Sequence, residues 1–194
     1  PVSAVLALFW LLTPLYSRYI SNKIAQKIFI TSSEREYLTA KAREIWSFFN
    51  DFLSKYDNFL PPDNYQEEPC GTIAHRTSPT NIGLALLSVV TARKLQFIDE
   101  ESALRLIENI VNTVQKLKKF KGHLYNWYDT QTLETLCPET ISSVDSGNFA
   151  ACLLITAAAL REYKGGNAEK LAGICRALFD DTDFKIMYDD DNQL

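Results

Sequence analysis

Two nearly all-apolar stretches decide the fold of this chain: SPTNIGLALLSVVTARKL at Ser78–Leu95 and DSGNFAACLLITAAALR at Asp145–Arg161. Ser78 followed by Pro79 is typical of a helix start, with serine at the cap and proline at the first helical position. The Asp–Ser pair that opens the second stretch can cap a helix over Phe149–Arg161. Both runs are apolar almost all round, which predicts helices enclosed by protein.

Three amphipathic helices are predicted around these two. Ser33 and Glu36 have the spacing of a capping box and open a helix that continues to about Tyr56. Asp99 caps a second helix, whose apolar residues form one stripe with charges opposite, and Ala168–Phe179 repeats that pattern. The predicted order is therefore outer, inner, outer, inner, outer.

Short turns at Gln96–Ile98 and Lys164–Asn167 close two inner–outer helix pairs. Helices that alternate in this way form two concentric layers. Six such hairpins need roughly 400 residues by extension of the repeat, so the 194 residues here hold two complete ones. We predict an all-α fold, a partial (α/α)6 toroid truncated at the C-terminus, with a free-standing helical solenoid or bundle as the alternative. Strand character at Phe184–Tyr188 and turn character at Asp189–Asn192 predict a hairpin that begins where the chain stops.

Composition narrows the class of partner. The chain is 46% hydrophobic and 12% aromatic, with a net charge of −4, which indicates a real core and argues against nucleic acid as a partner. The cysteines lack CxxC spacing and only two histidines are present, so we predict free thiols, no metal site and no cofactor. The four cysteines are Cys70, Cys137, Cys152 and Cys175.

The N-terminal stretch Val2–Leu15 (VSAVLALFWLLTPL) is strongly apolar. It is shorter than the roughly 20 residues of a membrane span, and Arg18, Lys23 and Lys27 follow it. Three interpretations remain open: the end of a truncated membrane helix, an interfacial helix, or a helix packed on the domain.

Two long polar loops, Tyr56–Ser78 and Lys121–Val144, lead into the two apolar helices. Because the other connections are short, we expect both loops at one end of the molecule. Helix N-termini there present unpaired N–H groups and partial positive charge, which favour hydroxyl and carboxylate oxygens. The loops add aromatic faces and hydrogen-bonding groups, so this end is a candidate carbohydrate site.

Particular side chains in the loops suit a sugar. Trp127 with Tyr125 and Tyr128 can form an aromatic platform, although burial of Trp127 in the core is equally compatible with composition. Arg76 can bind a carboxylate, or be tied to Asp63 or Asp145 in a buried pair. Candidate hydrogen-bonding groups are Asp63, Asn64, Gln66, Asn126, Asp129 and Asn148.

Catalytic residues are harder to select. His75 and His123 are expected to bridge loops by hydrogen bonds rather than to catalyse, since no local feature indicates a tuned pKa. Glycoside cleavage ordinarily needs two carboxyl groups about 5–5.5 Å or 6.5–9.5 Å apart. No pair is singled out by spacing, which leaves enzyme activity open. The candidate carboxyl groups are Asp63, Glu67, Glu68, Asp129 and Asp145.

Four motifs, in this order, resemble cyclic β-1,2-glucan synthases: Leu60–Gln66 (LPPDNYQ), Ala74–Gly83 (AHRTSPTNIG), Gly122–Thr130 (GHLYNWYDT) and Val144–Asn148 (VDSGN). The similarity is to the glucoamylase-like region that follows the membrane-embedded glycosyltransferase of that family, and it extends over residues 10–194. Four ordered motifs are more specific than any one of them.

The resemblance implies a part of a very large enzyme on the cytoplasmic side of the bacterial inner membrane. In that family a glycosyltransferase elongates the glucan, a middle α/α-toroid domain cyclises it by retaining transglycosylation, and a phosphorylase-like domain trims it. Residues 1–30 would be an apolar juxtamembrane or interfacial segment, and residues 31–194 the N-terminal portion of the middle domain. The implied glucan-binding residues are Asp63, Asn64, Gln66, Arg76, Thr77, Ser78, Asn81, Tyr125, Asn126, Trp127, Asp129, Asp145 and Asn148.

By the same resemblance the catalytic glutamates lie beyond Leu194, so that Asp129 and Asp145, the weak catalytic candidates here, support substrate instead. The expected partner is β-1,2-glucan, with membrane contact through the full-length protein. The isolated chain is expected to be inactive and, with apolar inner faces uncovered, to self-associate. The alternatives are a self-sufficient β-glucan hydrolase that uses Asp129 and Asp145, or a non-catalytic helical binding or scaffold module.

Overall fold

The structure is a computed structural model that describes residues 2–21 and 29–188. Six α-helices lie in the described residues: α1 Val2–Ser21, α2 Ser32–Phe52, α3 Pro79–Lys94, α4 Glu100–Lys116, α5 Ser143–Leu160 and α6 Ala168–Asp180. Short strands lie in the connections: β1 Tyr65–Gln66, β2 Thr72–Ile73, β3 Arg76–Thr77, β4 Lys119–Phe120, β5 His123–Leu124 and β6 Tyr128–Asp129. Short 3-10 helices occur at Lys55–Asp57 and Phe184–Met187.

The chain divides into two units, Pro1–Tyr37 and Leu38–Leu194. In the first unit, α1 continues beyond the apolar run to Ser21, and its large apolar side chains are exposed, with Trp10 at 82%. By length and composition two described helices are long and apolar enough to cross a membrane, Ser3–Ser21 and Ser143–Leu160. The second is partly buried as a core helix, whereas the first is not buried at all.

The second unit is built from two layers of helices. Helix α3 packs most extensively on α5, and α5 on α6, while α4 contacts both α3 and α6. The predicted alternation of inner helices (α3, α5) and outer helices (α4, α6) is therefore confirmed. A close approach at Gly83 fixes the inner pair, because a Cβ added there would lie 2.9 Å from Cys152 Sγ.

The two inner helices are not fully enclosed by the described residues, so the expectation of uncovered apolar inner faces is confirmed and that of enclosure is not met. Each buries one face, with Leu86 and Leu153 fully inaccessible. Each also leaves apolar side chains in solvent, including Leu84 at 48% exposure on α3 and Ile155 at 53% on α5. The all-round apolar pattern therefore predicts both helices correctly. It does not predict their burial, because each helix packs only one face against other described residues.

Two predicted caps are confirmed. Ser78 Oγ accepts the Asn81 N–H at the start of α3 (3.2 Å), and Asp99 Oδ1 accepts the Ser102 N–H at the start of α4 (2.7 Å). Each satisfies a backbone donor that has no partner within its helix. The predicted short turns after α3 and α5 are also present.

The predicted bounds and cap of α2 are wrong. The helix ends at Phe52 rather than near Tyr56, and its capping box joins Thr31 to Glu34 rather than Ser33 to Glu36. Both pairs have the three-residue spacing of a capping box, so the spacing alone does not select between them.

The cap of α5 also differs from prediction. It is Ser142, whose hydroxyl accepts the Asp145 N–H at 3.1 Å. The helix therefore begins before the Asp–Ser pair, and both residues of that pair lie within its first turn.

The end of the described chain is not the predicted strand. Phe184–Met187 forms a 3-10 helix, because the Asp183 carboxylate accepts the Lys185 N–H and begins a turn. The predicted turn at 189–192 lies outside the described residues.

Candidate functional site

The two long loops meet beside the N-terminus of α3. Strand β3 of the first loop pairs antiparallel with β6 of the second, with Arg76 opposite Asp129 and Thr77 opposite Tyr128. The Thr130 N–H extends the pairing by donating to the His75 carbonyl at 3.1 Å. The expectation that both loops gather at one end of the helices is thus confirmed.

A buried carboxylate also holds the two loops together. Asp57, at the end of the first 3-10 helix, accepts hydrogen bonds from His75 Nδ1 (2.8 Å) in one loop and from the Thr130 hydroxyl in the other. The adjacent Asn58 donates to the carbonyls of Thr130 (2.8 Å) and Gln131 (3.0 Å). Sequence reasoning missed this role, since an Asp–Asn pair after an apolar stripe indicates only a helix end.

A cluster of predicted residues surrounds Asp63. Its Oδ2 accepts from Arg76 Nη2 (3.0 Å) and Asn64 Nδ2 (3.1 Å), and its Oδ1 accepts from Asn81 Nδ2 (3.3 Å). The alternative that Arg76 pairs with Asp63 is therefore confirmed, but the pair is not buried. The Arg76 side chain is 51% exposed and that of Asp63 is 21% exposed.

Trp127 lies against this cluster. The Arg76 guanidinium carbon sits 4.9 Å from the centre of its ring, a distance at which a cation is attracted to an aromatic face. The indole is half-buried and is not sealed in the core. The Arg76 guanidinium therefore covers one face of the indole. The rest of the exposed indole surface is available to a ligand.

The two tyrosines of the predicted platform differ in burial and in their contacts. Tyr128 is completely buried; its hydroxyl donates to the Lys118 carbonyl (2.6 Å) and accepts the Tyr125 N–H (2.7 Å). Burial raises the pKa of Tyr128 well above its ordinary value. Including Tyr128 in a sugar platform was therefore wrong, while Tyr125 is half-buried, with Lys118 Nζ 5.2 Å from its ring centre.

A second cluster joins the N-termini of the inner helices. The Thr80 hydroxyl of α3 donates to Asp145 Oδ1 of α5 at 2.6 Å. The oxygen of that hydroxyl also accepts from Asn148 Nδ2 at 3.2 Å. Thr80 adjoins Asn81 of the Asp63 cluster in the sequence, so the two clusters share the first turn of α3.

Asp129 is engaged by its own loop. Its Oδ1 accepts the backbone N–H groups of Gln131 and Thr132, both at 2.8 Å. Partial burial opposes ionisation of the carboxyl group, but these donors outweigh it and lower the pKa of Asp129 below its ordinary value. A carboxyl group held in its ionised form is poorly suited to donate a proton at neutral pH.

Other predicted residues do not join these clusters through hydrogen bonds. Gln66 lies in the exposed β1–β2 hairpin and donates to the Glu68 carbonyl at 2.8 Å. Thr77 is fully buried, and within the described residues its Oγ1 and the Asn126 Oδ1 have no hydrogen-bond partner. Ser78 is engaged as the α3 cap.

His123 has a hydrogen-bonding role, as predicted, but it joins the second long loop to α5 and to Asp183 rather than to the first long loop. Its ring is buried, with Nδ1 2.9 Å from Ser146 Oγ and Nε2 2.9 Å from the Asp183 carbonyl oxygen. Because a carbonyl only accepts, Nε2 carries a proton and donates it to the Asp183 carbonyl, while Nδ1 shares a hydrogen bond with the serine hydroxyl. Ser146 is thereby committed to His123 and is not the helix cap.

Clefts and thiols lie apart from the two clusters. A cleft of about 680 Å³ opens at the α5–α6 turn around Gly165, and an apolar groove of about 230 Å³ lies between α2 and α3. Neither includes a predicted site residue. Across residues 2–21 and 29–188, no three His, Cys, Asp or Glu side chains are grouped to hold a metal, and all four cysteines are free.

The predicted resemblance is confirmed by comparison with known proteins. The chain is 40% identical over 159 residues to the cyclic β-(1,2)-glucan synthase NdvB of Rhizobium meliloti (strain 1021), which covers 81% of this chain and 6% of that protein. The chain therefore spans a small part of this curated relative.

Solved structures show the same fold. A glucoamylase-like protein from Bacteroides fragilis matches with a TM-score of 0.66 and 19% identity, over 84% of this chain and 39% of its own. An endo-β-1,2-glucanase from Chitinophaga pinensis matches with a TM-score of 0.59 and 15% identity, over 75% of this chain and 37% of its own. At these identities the likeness establishes an α/α-toroid type of fold. A protein-family model also matches residues 40–166, and the chain belongs to that family, DUF3131, which is described as a protein of unknown function.

Proposed function

We propose that this chain forms part of a β-1,2-glucan-processing protein and binds the glucan at the N-terminal ends of α3 and α5. The observation that carries the proposal is the pairing of β3 with β6, which brings both loops to this end. The 40% identity to a cyclic β-(1,2)-glucan synthase supports the choice of glucan.

The polar and aromatic groups at this end suit an oligosaccharide. The exposed part of the Trp127 indole can contact the C–H surface of a glucosyl ring, and Arg76 and Asp63 lie beside it to bind hydroxyl groups. Asn64, Asn148 and the half-buried Asp145 add further donors and acceptors. The arrangement combines an apolar surface with convergent hydrogen-bonding groups.

In the complete protein, we propose that the domain cyclises the glucan by retaining transglycosylation. Residues 31–194 would be the N-terminal portion of that domain, and residues 1–30 its juxtamembrane or interfacial segment. Because Asp129 is held ionised by two backbone donors, it does not fit the acid required by a self-sufficient hydrolase. We therefore expect this chain alone to bind glucan without turnover.

The proposal includes a location and a mode of association. The exposed apolar side chains of α1 support contact with a membrane, which we propose to be the cytoplasmic side of the bacterial inner membrane. The apolar α2–α3 groove, with Ile45 and Leu84 exposed, supports self-association of the isolated chain.

Replacement of Trp127 tests the site. We expect Trp127→Ala to weaken binding of linear β-1,2-glucooligosaccharides at least tenfold, equivalent to about 1.4 kcal/mol, because the aromatic surface is lost. Isothermal titration calorimetry on the unaltered and variant chains measures this change.

Trp10→Ala is the matched control, since Trp10 is an exposed tryptophan on α1, in the first unit of the chain. Its affinity should equal that of the unaltered chain. Unchanged affinity in Trp127→Ala, or the absence of any binding by the unaltered chain, would contradict the proposed site.

A further inference from the structure

We propose that Thr80 is a positioning residue, which holds Asp145 and Asn148 as one unit that binds two neighbouring hydroxyl groups of a glucosyl residue. The proposal rests on the proposed function and adds to it a residue that the sequence analysis did not select. Thr80 lies on α3, whereas the two residues it holds lie on α5.

The hydroxyl of Thr80 acts both as a hydrogen-bond donor and as a hydrogen-bond acceptor. It donates its proton to Asp145 Oδ1 at 2.6 Å and accepts from Asn148 Nδ2 at 3.2 Å. Because a hydroxyl has one proton, the donation to the carboxylate fixes which lone pairs face the amide. One side chain therefore sets the orientation of both neighbours.

The remaining polar atoms of the pair are open to a ligand. Within the described residues, Asp145 Oδ2 and Asn148 Oδ1 accept no hydrogen bond, and Asn148 is exposed. Residues three apart on a helix lie on the same face. A carboxylate can accept from one sugar hydroxyl while the neighbouring amide bonds the next, which is the pattern that adjacent hydroxyl groups require.

The residue type fits a positioning role. Threonine is β-branched, so its χ1 angle is restricted and its hydroxyl direction is well defined. Valine has nearly the same shape without the hydroxyl, and would leave Asp145 Oδ1 and the Asn148 amide unpaired. Serine keeps the hydroxyl and loses only the methyl group.

The experiment compares Thr80→Val with Thr80→Ser in the full 194-residue chain. Binding of linear β-1,2-glucooligosaccharides is measured by calorimetry, and folding by urea unfolding. We expect Thr80→Val to weaken affinity about tenfold, as for a lost hydrogen bond to a charged group, and Thr80→Ser to stay within about twofold. In an Asp145→Ala background the valine change should have a smaller effect, because one of the two groups that Thr80 orients is absent.

Thr91→Val is the matched control. It makes the same substitution on α3, eleven residues further along and about 16 Å away, at an exposed position. It should leave glucan affinity unchanged.

The outcomes separate this inference from the proposed function. If the unaltered chain binds no glucan, the proposed function and this inference both fail. If it binds, and Thr80→Val binds equally well or Thr80→Ser fails to restore affinity, the inference alone is overturned. A folded Thr80→Val variant with weakened binding, together with restored binding in Thr80→Ser, supports it.

Discussion

Asp129 illustrates at the residue scale how a turn determines the state of a charged group. Its carboxylate accepts two backbone N–H groups, which lower its pKa in the folded chain. A group with a lowered folded pKa contributes stability above its unfolded pKa, and that contribution is lost as the pH falls through the folded value. Acid should therefore weaken the loop that carries β6.

We predict that Asp129→Asn lowers the free energy of unfolding near pH 7. Its difference from the unaltered chain should shrink as the pH falls from about 4 through the lowered folded pKa of Asp129, below which both chains carry an uncharged acceptor. Urea unfolding across this pH range measures the effect. Glu134→Gln is the control, because the hydrogen bonds of Glu134 within the described residues use its backbone N–H and carbonyl. A pH-independent difference for Asp129→Asn would contradict the prediction.

The sequence predicts some residue contacts and not others. The pairing of Arg76 with Asp63 is one of its alternatives, because opposite charges in one loop tend to meet. The burial of Tyr128 is not predicted, because an aromatic residue in a polar loop has the same composition whether it faces solvent or core. That burial is visible only from its partners, the Lys118 carbonyl and the Tyr125 N–H.

At the scale of elements, the start of α5 depends on one hydroxyl. Ser142 Oγ accepts the Asp145 N–H, whereas Ser143 is already the first helical residue. We predict that Ser142→Ala lowers the free energy of unfolding by about 1 kcal/mol, the usual contribution of a serine cap. Urea unfolding measures it.

Ser143→Ala is a control at the adjacent position and should have a much smaller effect, because alanine is well tolerated in a helix. Equal losses in the two variants would count against Ser142 as the cap. This comparison also tests the correction to the predicted helix start.

The helices can be predicted from the sequence because their apolar pattern repeats over many residues. The strands cannot be predicted in this way. The apolar stripe of α4 repeats over several turns and identifies both the helix and its buried face. Strands β3 and β6 are two residues long, too short to show an alternating pattern. Their pairing depends on tertiary contacts through Asp57, which no local pattern indicates.

At the scale of the whole molecule, the exposed apolar helix α1 predicts that the chain binds to membranes. Its apolar side chains are in solvent around the helix, including Leu11. We predict that the chain floats with phospholipid vesicles in a density gradient and that Leu11→Asp weakens this binding. An aspartate in the centre of an inserted helix costs about 3 kcal/mol.

Leu38→Asp provides the control, since Leu38 is an exposed leucine on α2. Its flotation should match that of the unaltered chain. A chain that stays at the bottom of the gradient, or equal flotation of the Leu11 and Leu38 variants, would argue against a membrane role for α1.

The alternating layers of the fold are predictable because short turns force successive helices to lie side by side, as α3–α4 and α5–α6 do. The extent of burial is not predictable, because it depends on which neighbours are present. Leu84 and Ile155 look like core residues in the sequence, yet about half of each side chain is in solvent.

The meeting of β3 with β6 has a consequence for how relatives of this chain can diverge. Strands β3 and β6 pair over only two residues each, and the exposed stretch 67–71 of the β1–β2 hairpin lies outside this pairing. Surface connections of this kind tolerate insertions and deletions better than the elements they join. Natural variation in length can therefore accumulate there while the β3–β6 junction itself keeps its shape.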